Sequence, residues 1–140
     1  MAGLPKILLV EDTLEIADIY SQHLTRQGFT ARIVRTVDEL LDCVVDYAPD
    51  LIFLDMMLPG GKTGLDALKI LRNDPQYHSL KTKIVLLTNL GESEEIKKLW
   101  EQYADGYVIK AEIDPHELTD IIESLGFEVP PEDTETSIPV

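Results

Sequence analysis

The chain has little of what disulfide-rich or zinc-binding proteins depend on. It contains a single cysteine, Cys43, among 140 residues, which excludes an intramolecular disulfide and a cysteine metal cluster and favours a reducing compartment. We expect Cys43 to be a small side chain at the edge of a helix's buried face. The three histidines, His23, His78 and His116, are scattered, so they form no zinc motif and fit solvated surfaces better.

Positive charge and long apolar runs are also scarce. Lys and Arg number 12 against 26 Asp and Glu, which gives a net charge of −14 and a pI near 4.4. This balance disfavours non-specific attraction to nucleic acid or anionic lipid, so we expect neither a nucleic-acid partner nor a membrane contact. No apolar run is long enough to span a membrane, and the N-terminus lacks a signal pattern. We therefore expect a cytoplasmic protein.

Five strand-like runs alternate with five helix-like segments, which predicts one α/β domain whose parallel sheet is covered by helices on both faces. Residues 29–35 alternate between apolar and polar more than the other runs do, which is typical of an exposed edge strand. We expect the folded domain to cover residues 5–127. The acidic, proline-containing tail at 128–140 lacks periodicity and is expected to be disordered.

The helical segments have recognisable ends and apolar stripes. Thr36 with Glu39 and Asp114 with Glu117 have capping-box spacing, and Gly28 is placed to end the first helix. The stripes predicted to face the sheet are Val37, Leu40, Leu41, Val44, Val45 and Ala48, then Ile96, Leu99, Trp100 and Tyr103, then Leu118, Ile121, Ile122 and Leu125.

Three apolar runs stop at charged residues, which are Glu11 and Asp12, Asp55, and Lys110. Strands of a parallel sheet bring such residues together at the carboxyl-terminal edge, where open α/β folds bind ligands. Carboxylates that share a crevice repel one another unless a cation lies among them, and a small oxygen-ligated ion such as Mg²⁺ suits the place. The sequence therefore predicts a site for a metal ion and a phosphoryl group.

Several motifs in the same order along the chain resemble a known family. They are Leu8-Leu9-Val10-Glu11-Asp12, Asp55 followed by Pro59, Thr88 closing Ile84-Val85-Leu86-Leu87, and Lys110 behind Tyr107. With them, residues 5–127 resemble the receiver domain of two-component response regulators, as in the stand-alone chemotaxis response regulator. The resemblance implies a flavodoxin-like, doubly wound sheet of five parallel strands in the order 2-1-3-4-5.

The resemblance also implies roles for the acidic residues. Asp55 would be the phosphoacceptor and would take a phosphoryl group from a phosphohistidine on a sensor histidine kinase or a histidine phosphotransfer protein. Glu11, Asp12, Asp55 and the backbone carbonyl of Met57 would hold Mg²⁺. Lys110 would pair with the phosphoryl oxygens as a point charge.

Two further residues would form a switch by the same resemblance. Thr88 would turn its hydroxyl to the phosphoryl group, and Tyr107 would swing inward as Thr88 moves. Output would pass to a downstream protein through the face formed by residues 93–125, from a monomer or a phosphorylation-dependent dimer. The chain would be a signalling switch that catalyses only its own Mg²⁺-dependent phosphorylation and dephosphorylation, and not an enzyme of metabolism.

The chain departs from the family pattern in three places. Gly64 stands ninth after Asp55 where the eighth position is usual, so loop 60–64 is expected to be one residue longer. Ala111 follows Lys110 where the family commonly has proline, and Asn89 is bulkier than the usual small residue after the threonine.

Two other phosphate-handling motifs are incomplete in this sequence. A nucleotide-binding phosphate loop at 61–63 would need a glycine where Met56 stands, and an aspartate-nucleophile phosphatase would need a second acid where Met57 stands. Two alternatives stay open, a degenerate receiver that acts as an unphosphorylated docking module and a receiver that is a fragment of a longer regulator.

Overall fold

A computed structural model describes residues 4–58, 60–77, 80–88, 94–110 and 114–130, apart from the side chains of Glu95, Ile96 and Leu99. Strands and helices alternate strictly along these ranges. The strands are β1 (Lys6–Val10), β2 (Thr30–Val34), β3 (Leu51–Asp55), β4 (Lys83–Thr88) and β5 (Gly106–Ile109). The helices are α1 (Leu14–Arg26), α2 (Val37–Tyr47), α3 (Gly64–Asn73), α4 (Glu94–Tyr103) and α5 (Pro115–Ser124).

All strand pairs are parallel, and the order across the sheet is β2-β1-β3-β4-β5. The predicted fold class and strand order are therefore confirmed. This order places β1, β3 and β4 in the interior of the sheet, so their apolar residues are buried on both faces. The carboxyl ends of these strands meet at one edge, which brings together the residues that follow them in the chain.

The predicted edge strand is confirmed as β2, whose residues alternate between more and less exposed positions until the buried Val34. The sheet separates two apolar clusters. The first cluster fills the face that α2 and α3 cover, and the second fills the face that α1 and α5 cover. Such two-sided burial fixes the sheet as the rigid centre on which the site is carried.

Thr36 and Asp114 cap α2 and α5 as their positions predict, but the bonds differ from those of the predicted capping boxes. The Thr36 hydroxyl accepts a hydrogen bond from the Glu39 N–H, but the Arg35 N–H, and not the Thr36 N–H, donates to Glu39 Oε1. The Asp114 carboxylate accepts a hydrogen bond from the His116 N–H and not from the Glu117 N–H. Gly28 lies just past α1 with φ of +100°, a left-handed conformation that glycine adopts without steric cost. Each cap satisfies backbone groups that a helix end would otherwise leave unpaired.

One predicted stripe is wrong at its edge. Val37, Leu40 and Val44 are buried under α2, but Val45 is 48% exposed. A helix turns about 100° per residue, so Val45 lies beyond the margin of the face that Val44 presents to the sheet. Ala48 is not helical either, because it ends α2 in a left-handed conformation with φ of +49°.

The end of the described chain stays in contact with the domain. Phe127 and Val129 pack against the apolar cluster beneath α1 and α5. Residues 131–140 lie outside the described ranges, so the boundary at 127 and the disorder of the tail stay predictions. Within the described residues, no helix is long and apolar enough to cross a membrane.

Candidate functional site

Glu11 follows β1 directly and is fully buried. Its N–H donates a hydrogen bond to the Val34 carbonyl at 3.0 Å, which extends the β1–β2 pairing by one residue and fixes the backbone. Asp12, the next residue, is half-buried at the mouth of the site. The sequence places both acids here because the apolar run of β1 ends at Val10, at the carboxyl edge of the sheet.

Asp55 is the last residue of β3, and only 1% of its surface is exposed. Its Oδ1 accepts a hydrogen bond from the Met57 N–H at 3.0 Å. Met56 donates its N–H to the Leu87 carbonyl, so the chain just after Asp55 is still paired with β4. The structure thus holds the Asp55 carboxylate in a defined orientation. Met57 itself is 66% exposed beside the site, and the role of its carbonyl stays a prediction.

The loop after Asp55 returns tightly onto it. Gly64, the first residue of α3, lies so close that a Cβ atom there would come within 2.2 Å of the Asp55 carbonyl oxygen. Gly60 and Gly61 both have positive φ and turn the chain between Asp55 and α3. Thr63 then caps α3 in a reciprocal capping box with Asp66. The sequence reasoning missed both the close contact and this cap.

Lys110 brings a positive charge into the same pocket. Its Nζ lies 3.0 Å from Asp55 Oδ2 and 2.8 Å from Glu11 Oε1, and only 11% of its side chain is exposed. The Lys110 N–H donates to the Thr88 carbonyl at 2.7 Å, so the backbone after β5 is anchored to β4. Ala111 lies outside the described residues, and its effect on Lys110 is not tested.

Thr88 ends β4 and is 3% exposed. Its hydroxyl donates a hydrogen bond to the Val108 carbonyl on β5 at 3.3 Å. Tyr107, the residue before Val108, is 45% exposed and lies outside the carboxylate pocket. Its ring contacts the Trp100 indole instead, with ring centroids 4.3 Å apart and planes inclined at 47°. The two predicted switch residues are therefore adjacent through the β5 backbone.

Glu11, Asp12 and Asp55 each offer a carboxylate oxygen, and these three oxygens all lie within 4.8 Å of one another. Burial, followed by the nearby Asp55 carboxylate, raises the pKa of Glu11 to about 7, although Lys110 acts against that rise. Burial alone lowers the pKa of the Lys110 ammonium, but its contacts with Glu11 and Asp55 outweigh burial and leave that pKa raised. The pocket thus has more carboxylate than one ammonium neutralises.

One carboxylate oxygen of the pocket lacks an aligned hydrogen-bond donor among the described residues. This oxygen is Glu11 Oε1, which is buried and lies close to Lys110 Nζ without being aligned with it. Buried polar atoms without a partner are costly and uncommon. An all-oxygen donor set with an unsatisfied oxygen fits a hard cation such as Mg²⁺. The residues present therefore suit the ion that the sequence predicts.

A cleft of about 720 Å³ lies at the opposite, amino-terminal end of the sheet, far from these carboxylates. Arg72 lines this cleft and donates hydrogen bonds to the carbonyls of Tyr103 and Thr82 and to the Asp105 carboxylate. Asp105 also accepts from the Ile84 N–H, so this network ties β4, α3 and α4 together. Sequence spacing gave no signal for it, and its hydrogen bonds serve the fold.

Comparison with known proteins agrees with this architecture. Residues 7–123 match the family model described as the response regulator receiver domain. The chain is 32% identical over 126 residues to the phosphate regulon transcriptional regulatory protein PhoB of Klebsiella pneumoniae, covering 90% of this chain and 53% of that protein. It is 32% identical over 105 residues to the DNA-binding response regulator MtrA of Mycobacterium tuberculosis, covering 75% of this chain and 43% of that protein.

Solved structures show the same likeness. A putative response regulator from Chloroflexus aurantiacus superposes with a TM-score of 0.76 at 25% identity, covering 88% of this chain and 98% of that chain. The chain spans about half the length of the curated relatives it matches.

Proposed function

The chain belongs to the response regulator receiver domain family of two-component systems, and from this premise we propose that Asp55 accepts a phosphoryl group and switches the domain between two signalling states. Phosphorylation and Mg²⁺ binding are typical of this family. The observation that carries the proposal is the shared pocket of Glu11, Asp12, Asp55 and Lys110, in which three carboxylate oxygens lie within 4.8 Å and one ammonium faces two of the acids.

The proposed reaction is a transfer from phosphohistidine to carboxylate. An Asp55 carboxylate oxygen attacks phosphorus, the bond between phosphorus and the histidine nitrogen breaks, and its electron pair leaves with the imidazole. The donor is a sensor histidine kinase or a histidine phosphotransfer protein. Asp55 is held for attack by the Met57 N–H and by Lys110, since a positioned nucleophile lowers the entropic barrier to transfer.

Charge is the main obstacle, because an anionic carboxylate must approach an anionic phosphoryl group. Lys110 offsets part of that repulsion, since its ammonium already lies beside Asp55 and would pair with phosphoryl oxygens. We propose that Glu11, Asp12, Asp55 and the Met57 carbonyl hold Mg²⁺. When bound, this ion supplies further positive charge at the transferring group.

The switch is proposed to run from Thr88 to Tyr107. The Thr88 hydroxyl, now bonded to the Val108 carbonyl, turns to the phosphoryl group, and Tyr107 leaves its exposed position for the interior. The signal then passes to a downstream protein through the face formed by residues 93–125. Part of that face, including residues 111–113, lies outside the described residues.

Receiver domains are signalling domains, and autophosphatase activity of this chain stays a proposal. The relatives named above are a transcriptional regulator and a DNA-binding regulator, and each is about twice as long as the part matched here. The expectation that this chain contacts no nucleic acid is therefore not confirmed, and the alternative of a receiver within a longer regulator stays open. The oligomeric state, either a monomer or a phosphorylation-dependent dimer, stays a prediction. The cytoplasmic location stays a prediction too.

The test is labelling with a small phosphodonor such as acetyl phosphate in the presence of Mg²⁺, followed by intact-protein mass spectrometry. We expect one phosphoryl group on the wild type, removable by hydroxylamine as an acyl phosphate should be, and none on Asp55→Asn. Asp46→Asn, which removes the same charge from the exposed face of α2, should be labelled like the wild type. No labelling of the wild type by phosphodonor or by candidate histidine kinases would favour the docking-module alternative. Labelling of Asp55→Asn would show instead that another residue accepts the phosphoryl group.

A further inference from the structure

Trp100 and Tyr107 form an aromatic contact between α4 and β5. Their ring centroids lie 4.3 Å apart, and the planes are inclined at 47°. Trp100, the only tryptophan of the chain, is half-buried and packs against the apolar cluster beneath α2 and α3. Tyr107 is 45% exposed although it belongs to a strand. The half-buried indole is therefore the more restrained of the two rings, and the exposed tyrosine ring packs against it.

The same stretch of β5 is joined to the phosphoacceptor site. Thr88 donates its hydroxyl to the Val108 carbonyl at 3.3 Å, and the Lys110 N–H donates to the Thr88 carbonyl at 2.7 Å. Tyr107 precedes Val108 directly. A continuous set of contacts therefore leads from Asp55 through Lys110 and Thr88 to Tyr107, and it reaches α4 at the Trp100 ring.

We propose that Trp100 is a positioning residue that holds Tyr107 in its exposed orientation and so biases the unphosphorylated domain toward the resting state. The inference rests on the proposed function, because it concerns the regulation of the same site. Offset aromatic pairs favour contact beyond what their buried area contributes, by an amount that shifts an equilibrium about two- to tenfold. A ligand that binds only the switched state must overcome this bias, so its apparent affinity is reduced by the same factor.

Beryllium fluoride with Mg²⁺, an analogue of the phosphorylated carboxylate, is a suitable probe because it binds without covalent chemistry. Its dissociation constant would be measured by isothermal titration calorimetry, with fluorine NMR of the bound fluoride as a second readout. We expect Trp100→Leu to lower the dissociation constant about two- to tenfold and Trp100→Phe, which keeps an aromatic ring, to stay closer to the wild type. Denaturant unfolding would establish that each variant is folded.

A double-mutant cycle distinguishes positioning from general packing. In a Tyr107→Leu background, Trp100→Leu should have no further effect on the dissociation constant, because its partner is gone. Tyr103→Leu is the matched control, since Tyr103 is a half-buried aromatic residue of α4 that packs on the same cluster, and it should leave the constant unchanged.

If the wild type binds the analogue through Asp55, three results would each overturn the inference about Trp100 and leave the proposed function intact. They are an unchanged constant in Trp100→Leu, the same change when Tyr107 is leucine, and an equal change in Tyr103→Leu. Failure of the wild type to bind the analogue, with Asp55→Asn giving the same blank titration, would overturn the proposed function and the inference together.

Discussion

Lys110 Nζ donates a 3.0 Å hydrogen bond to Asp55 Oδ2 across 55 positions of the sequence, and the same nitrogen lies 2.8 Å from Glu11 Oε1. One ammonium thus faces two buried carboxylates, with a third from Asp12 close by. The pocket is held together by charges that only partly balance. Its stability must therefore respond strongly to the loss of Lys110 or to the gain of a cation.

Replacement of this ammonium is expected to destabilise the metal-free protein. Lys110→Met keeps the length of the side chain but leaves two buried carboxylates without a counter-charge, which should lower the free energy of unfolding by about 2 kcal/mol. Urea denaturation in the presence of a chelator measures it. Lys62→Met is the matched control, because Lys62 pairs with Asp38 where the two side chains are 49% and 76% exposed. Its effect should stay below about 1 kcal/mol, and equal losses would contradict the prediction.

Addition of Mg²⁺ should have the opposite effect. Millimolar Mg²⁺ is expected to raise the melting temperature of the wild type, because a ligand that binds only the folded state stabilises it by mass action. Asp55→Asn should stabilise the metal-free protein by about 1 kcal/mol through relief of like-charge repulsion, and should lose most of the response to Mg²⁺. Scanning calorimetry with and without the ion is the measurement. Asp46→Asn should respond like the wild type, and identical Mg²⁺ responses in all three proteins would show that the ion binds elsewhere.

Close packing behind the phosphoacceptor gives a third expectation. A methyl group at position 64 would press on the Asp55 backbone, so Gly64→Ala should cost about 2 kcal/mol in unfolding free energy and slow the labelling of Asp55. Gly106→Ala is the control, since its Cβ would meet nothing nearer than a Val85 methyl at 3.8 Å. It should change stability by less than about 1 kcal/mol. Wild-type stability and labelling in Gly64→Ala would contradict the prediction, because they would mean that the loop between Asp55 and α3 moves to admit the methyl group without a loss of unfolding free energy.

Much of the fold could be predicted because its signals are local and repeated. The apolar runs of β1, β3 and β4 are buried on both faces as continuous hydrophobic strands require, and β2 alternates as an edge strand does. The stripe of α2 was less certain at its margin, because one residue separates the buried Val44 from the exposed Val45. Periodicity gives the centre of a helix face, whereas neighbouring elements decide its edges.

The sequence predicts which residues lie together at the carboxyl edge of the sheet, but not the directions in which their side chains point. The order of the strands alone brings Glu11, Asp55 and Lys110 to one edge of the sheet, independently of their side-chain conformations. The direction of the Thr88 hydroxyl toward β5 depends on contacts between residues distant in sequence, and no spacing rule gives such contacts. The ring of Tyr107 is likewise placed by an indole on another element.

A pair of histidines between α1 and α5 leads to a pH-dependent prediction. His23 Nε2 lies 3.1 Å from the Thr119 hydroxyl oxygen, and its ring meets the His116 ring edge-on with centroids 4.9 Å apart. Burial, and then the neighbouring His116 and Arg26, lower the pKa of His23, while Asp114 acts weakly in the other direction. His23 therefore resists protonation in the folded state more than in the unfolded chain.

The sign of the effect follows from linkage. An unfolded histidine has a pKa of about 6.5, so below that pH the unfolded chain binds the proton more readily than the folded protein does. The stability that neutral His23 contributes is complete above this pH and is lost as pH falls toward the lower pKa of the folded state. His23→Gln keeps a hydrogen-bonding partner for Thr119 but does not titrate. The measurement is urea denaturation at several pH values between about 7.5 and 5.5, on either side of the pKa of an unfolded histidine. Over this range the free energy of unfolding should fall less in His23→Gln than in the wild type. Because every other titrating group is common to both proteins, parallel pH profiles would show that His23 is protonated equally in both states.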